Sequence, residues 1–164
     1  MLDLDSPRWA TLHHAYGFAD DVPAMLRKLP VDPDGAWDEI CGSVCHQGDV
    51  HSAAFAVVPH IVHRAESLPP QDRVMYWAFI GFVTNGAMKE GIPDDLRNDY
   101  IQAIQRAGAA IRRDLETGTL PKEDSIYLLA ALAGCAGAPE GCVMEYLTGD
   151  EVPGRCPFCQ EFLV

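Results

Sequence analysis

The residue types best able to do chemistry are the six cysteines and six histidines. The sharpest pattern is Cys156-Pro157-Phe158-Cys159. Two thiolates at this spacing can clamp one tetrahedral zinc ion, as in the knuckle of a zinc ribbon. A second pair, Cys135 and Cys142, lies upstream in a Gly/Pro-rich stretch, giving the pattern C-x6-C-x13-C-x2-C. The expected metal set is therefore Cys135, Cys142, Cys156 and Cys159 around a structural zinc that staples the tail to the last helix. Inert thiols remain the alternative, because cysteine is among the most buried residue types. A thioredoxin-like redox pair needs a strand before the motif and a helix after it. Gln160 to Val164 leave no room for such a helix.

The histidines are His13, His14, His46, His51, His60 and His63. His60 and His63 stand three apart on one helix face, and His46 and His51 flank the preceding loop. With Asp49 or Glu66 as general base, they suggest a metal-dependent hydrolase. No H-E-x-x-H and no H-x-E…P-C-x-x-C supports that chemistry. The polar loop Cys45-His46-Gln47-Gly48-Asp49-Val50-His51 offers His46, Gln47, Asp49 and His51 as the edge of a partner-binding face. The competing role is local: helix ends need hydrogen-bond partners, and these side chains can supply them.

Several function classes are disfavoured outright. Neither G-x-x-x-x-G-K-[ST] nor G-x-G-x-x-G occurs, and there is no G-x-S-x-G elbow. The 164 residues include 24 acidic and 12 basic side chains, for a formal net charge of −12. Nucleic-acid binding needs Lys and Arg to neutralise phosphates, so this balance opposes it, and with it a helical-repeat glycosylase. It opposes anionic membranes too. It suits a protein partner with a basic surface. No apolar run approaches the ~20 residues of a membrane span, and Met1 to Asp5 do not read as a secretory signal. The expectation is a cytoplasmic protein.

The elements that would position these residues are helices. Apolar and breaker residues predict segments over 9–16, 20–29, 34–47, 52–68, 70–85, 93–117 and 122–133. The clearest carries Leu96, Tyr100, Ile104, Ala107, Ile111 and Leu115 at steps of four and three. Pro59 falls inside the fourth segment and either kinks it or opens it. The fifth, with Trp77, Phe79, Ile80 and Phe82, is apolar nearly all round and reads as the central buried helix. Gly134 reads as the end of the seventh. Nothing alternates at period two, so essentially no sheet is expected. The predicted organisation is a helical-repeat domain over 1–134 and an irregular Cys-bearing tail over 135–164.

Val22-Pro23, Val58-Pro59, Ile92-Pro93 and Leu120-Pro121 recur at intervals of 36, 34 and 28 residues. Each is read as opening the first helix of a pair, with Trp37 and Trp77 in second helices. Helix pairs at such a period mark an α-solenoid, in which neighbouring pairs bury the face that one pair cannot. The stretch Leu12-His13-His14-Ala15-Tyr16-Gly17, then Asp21-Val22-Pro23, Trp37-Asp38-Glu39-Ile40, Cys45-His46-Gln47-Gly48 and Ala56-Val57-Val58-Pro59-His60-Ile61-Val62 resembles widespread, uncharacterised bacterial proteins with HEAT-like repeats. The resemblance covers about residues 9 to 66. It implies an all-α fold of stacked antiparallel helix pairs and a binding role, and it supplies no catalytic residues. Combined with the acidic charge, it points to an interaction module that neutralises a basic protein partner, as immunity proteins do.

Overall fold

Six helices carry the apolar periodicity, and most begin where proline or aspartate makes a helix start easy. In the computed structural model, residues 1–88, 90–118 and 120–138 are described, together with a strand pair at 154–155 and 162–163. The helices are α1 (Val22–Lys28), α2 (Pro33–Val44), α3 (Ser52–Glu66), α4 (Val74–Asn85), α5 (Asp94–Glu116) and α6 (Lys122–Cys135). The Asp32 carboxylate caps α2 by accepting from the Gly35 N–H at 3.4 Å. Pro93 and Pro121 stand at the N-caps of α5 and α6, where a missing N–H costs nothing.

Three two-residue pairings are the strands present among the described residues. β1 (His13–His14) runs antiparallel to β2 (Gly17–Phe18), and β3 (Asp49–Val50) runs parallel to β4 (Ala87–Met88). The third joins β5 (Gly154–Arg155) to β6 (Phe162–Leu163). None extends far enough to form a layer, so the described fold is helical.

The helices pack chiefly on their next-but-one neighbours. The main contacts are α4 with α6 and α3 with α5, while α1 and α2 pack on each other. Trp37 of α2 meets Tyr76 and Phe79 of α4 at ring-centroid distances of 4.8 and 5.6 Å. Two glycines bring α4 and α6 close. A Cβ on Gly81 would lie 3.1 Å from Ala131 Cα, and one on Gly134 only 2.1 Å from Thr84 Oγ1. Gly134 is therefore a packing residue inside α6. The helix is closed instead by Gly137, at φ +72°, with Ala138 N–H donating to Ala133 O at 3.0 Å.

The core includes one ionic network. Asp114, 1% exposed, accepts from Arg73 Nε at 2.8 Å and from Trp77 Nε1 at 2.9 Å, with a second bond from an Arg73 terminal nitrogen. Arg73 also donates to Leu68 O at 3.2 Å. A buried carboxylate is tolerated here because three donors replace its water.

Three expectations are corrected, and one left open is decided. The segment over 9–16 is not a helix: a 3-10 turn covers Pro7–Thr11, followed by the β1–β2 hairpin. His14 Nδ1 accepts the Tyr16 N–H at 3.0 Å, a local bond that competes with helical bonding. Of the two readings left open at Pro59, a helix start there is excluded: α3 begins at Ser52 and runs through it, forgoing one N–H bond. The proline repeat consequently fails as a ruler, since Pro59 is mid-helix while Pro93 and Pro121 stand at the N-caps of two successive helices. Finally, α4 shares the central position with α3, which buries 11 of its 15 residues. The small Ala53, Ala54, Ala56 and Ala65 let neighbours close on α3, while Met75 and Phe82 of α4 reach the surface.

Candidate functional site

The hairpin and the 45–51 loop meet at the surface. Gly17, at φ +136°, lets the chain turn between β1 and β2, and Ala15 N–H donates to Ser43 O of α2 at 2.9 Å. The Ser52 hydroxyl accepts the His13 N–H at 2.9 Å, tying the hairpin to the start of α3. His14 is buried beneath. Its Nδ1 is occupied as an acceptor by Tyr16 N–H, so Nε2 carries the proton and donates to Asp21 Oδ1 at 3.1 Å.

Two aromatic rings project from this anchored base. Tyr16 is 70% exposed and Phe18 61%. The Tyr16 hydroxyl lies 3.3 Å from His46 Nδ1, and the two rings are 5.4 Å apart. Phe18 stacks on His13 at 4.9 Å, and His13 Nδ1 lies 3.4 Å from Glu90 Oε1. Asp20 and Asp21 follow the hairpin and are exposed. The result is a pair of steadied aromatic rings in acidic surroundings.

The loop residues singled out by sequence have distinct places. His46 joins the aromatic pair. Gln47 lies in the 3-10 turn His46–Gly48, and its side chain falls outside what is described. Asp49 opens β3, paired in register with Ala87. His51 is the N-cap residue of α3 and makes no side-chain cap bond. Gly86 makes the β3–β4 approach possible, since a Cβ there would stand 2.6 Å from Val50 Cγ2.

The histidine set is divided between two regions. His13, His14 and His46 gather at the hairpin. His60 and His63 lie on α3 beside the N-terminal segment, where His60 Nε2 donates to Leu2 O at 2.9 Å. Burial pushes the His60 pKa down, against the pull of that hydrogen bond. Among the described residues, no three His, Cys, Asp or Glu side chains form a group that could hold a metal ion.

Of the four candidate zinc ligands, Cys142, Cys156 and Cys159 lie outside the described residues. Cys135 ends α6 against Gly108 of α5, and burial pushes its thiol up to about 11. Cys41 on α2 is pushed up to about 12, first by burial and then by Cys45 and Asp38. Both are protonated at neutral pH.

Tyr16 and Phe18 were missed as site residues by sequence reading. The one sign in the order His13-His14-Ala15-Tyr16-Gly17-Phe18 is Gly17, which can take the positive φ that a tight turn needs. No protein-family model matches this chain, and no curated protein or solved structure was found to be similar to it.

Proposed function

We propose that this protein is a non-enzymatic interaction module, a HEAT-like stack of helix pairs that binds a protein with a basic surface. The observation that carries the reading is the exposed pair Tyr16 and Phe18, each held against a histidine on an anchored hairpin. Aromatic rings are the commonest anchors of protein interfaces, and a ring already fixed in place loses little entropy on binding. Asp20, Asp21, Glu90 and a net charge of −12 supply the field that draws a basic partner. His46 and Asp49 complete the binding edge, and neutralisation of the partner follows from occupying its basic surface.

The repeat reading is supported by next-but-one packing. In a stack of three pairs, first helices lie on first helices and second on second. The α3–α5, α4–α6 and Trp37–α4 contacts have that order.

The test is affinity capture with two immobilised proteins, the parent chain and a Tyr16→Ser/Phe18→Ser variant. Capture is run below about 0.1 M salt, where charges up to ~10 Å apart still interact. The expected result is a basic protein held by the parent, released by added salt and absent from the variant. Equal retention on both proteins, or no specific capture at low salt, would overturn the reading.

A further inference from the structure

Arg64 of α3 differs from every other described cation. Arg8, Arg27, Lys28, Arg73, Arg97 and Arg106 each hold a carboxylate. Arg112, Arg113 and Lys122 are exposed to water. Arg64 is half-buried and has no acid within 4.0 Å among the described residues, in a chain with 24 of them. Its Nε is shielded from solvent and has no hydrogen-bond partner among the described residues. One terminal nitrogen reaches Ser67 Oγ, at a long 3.4 Å. A buried N–H left without an acceptor is a standing cost, and such groups are rare in folded proteins.

Arg64 also lines a cavity of about 280 Å³ between α1, α3 and the N-terminal segment. One side is polar: His60, His63, Arg64 and Ser67. The other is apolar, with Leu4, Leu26 and Leu29. Among the described residues, no acid lines it. A second cavity, of about 440 Å³, shares Arg64 but contains Asp34 and Asp72, which would repel an anion.

We propose that the smaller cavity is a binding site for a carboxylate carried on a short apolar body. The guanidinium pairs with carboxylates through adjacent N–H groups, and no described carboxylate holds this one. Ser67 and His63 provide further polar contact, and the leucines take the hydrocarbon part. The volume limits the body to a few carbons. The cation also answers a difficulty of the whole chain: in so acidic a protein, an anion needs a local charge of the right sign and freedom from neighbouring carboxylates.

The experiment is an amide-resolved NMR titration of the full chain with hexanoate, with hexanol and inorganic phosphate as separate probes. Hexanoate should shift the amides of α3 around 60–67 saturably. Its few heavy atoms set a dissociation constant on the order of 1 mM. Hexanol and phosphate should bind at least ~10-fold more weakly, since each lacks one half of the recognition. Arg64→Met should weaken hexanoate by about tenfold or more, the worth of a charged hydrogen bond. The same variant should melt no lower than the parent, because it removes an unsatisfied group. Three results would overturn the proposal: no saturable shift near 60–67, phosphate or hexanol binding as well as hexanoate, or hexanoate binding unchanged in a folded Arg64→Met.

Discussion

Replacing Asp114 by alanine should be among the most damaging single changes available to this fold. The carboxylate is 1% exposed and takes two bonds from Arg73 and one from Trp77. Its removal leaves a guanidinium with a side chain 13% exposed and an indole N–H without an acceptor. Arg73 retains its bond to Leu68 O and its position 5.8 Å from the Trp77 ring, which tempers the loss. Breaking a buried pair by deleting one partner costs about 3–5 kcal/mol. Against a total stability of about 5–15 kcal/mol, that is a large share. Urea unfolding gives the measurement. With a slope of about 2 kcal/mol per molar, the midpoint should fall by roughly 1.5–2.5 M. Two controls isolate the cause. Arg106→Ala breaks the surface pair with Glu66, with side chains 50% and 35% exposed, and should cost no more than about 1 kcal/mol. The double change Arg73→Met/Asp114→Leu removes both charges and should cost less than Asp114→Ala alone. An Asp114→Ala midpoint within 0.5 M of the parent, about 1 kcal/mol at that slope, would refute the account of the network.

Glycine substitutions should separate packing from propensity. Gly134→Val, which collides with Thr84, should lose about 2 kcal/mol by overpacking. Gly42→Ala, on the open face of α2, should gain up to ~1 kcal/mol. Equal effects in urea unfolding would contradict the close α4–α6 approach. His60 should make stability fall on the acid side. Its folded pKa is lowered, so between that value and about 6.5 the unfolded chain binds more protons. The contribution is whole above pH 6.5 and is lost as pH falls through the folded pKa. His60→Gln should flatten the profile between pH 7.5 and 5.5, and a profile as steep as the parent's would assign the slope elsewhere. Cys41 and Cys135 should resist alkylation. With thiols at about 12 and about 11, their iodoacetamide reaction at pH 8 should be at least ~100-fold slower than in the urea-unfolded chain, followed by mass spectrometry. A rate near the unfolded one would mean the thiols are not buried as described.

The helices were legible because long amphipathic segments repeat one signal many times. Leu96, Tyr100, Ile104, Ala107 and Ile111 are all buried on α5. The hairpin was not legible because it rests on a few local bonds, such as His14 Nδ1 with Tyr16 N–H, which leave no period in the sequence. Gly134 was misread for a related reason. A glycine near the end of a periodic run reads as a stop, and nothing local tells that Thr84, fifty residues away, needs the missing Cβ. The histidine set was overread in the opposite sense. Spacing on one helix placed His60 near His63, yet it could not reveal that His46 is turned to Tyr16 and His60 to Leu2.

The N-terminal segment adds to the burial of the helical core. In the proposed stack it would cover an end face, because the last pair has no neighbour. Here Trp9 and Leu12, 2% and 1% exposed, come from outside the six helices. The segment is tied down along its length: the Met1 amino group to Asp99, Leu2 O to His60, Asp3 O to Trp9 Nε1, Asp5 to Arg27 and Arg8 to Asp95. Its ties reach α1, α3 and α5, the three first helices of the proposed pairs. One stretch of chain thus covers α3, leads into the aromatic hairpin and forms a wall of the Arg64 cavity through Leu4.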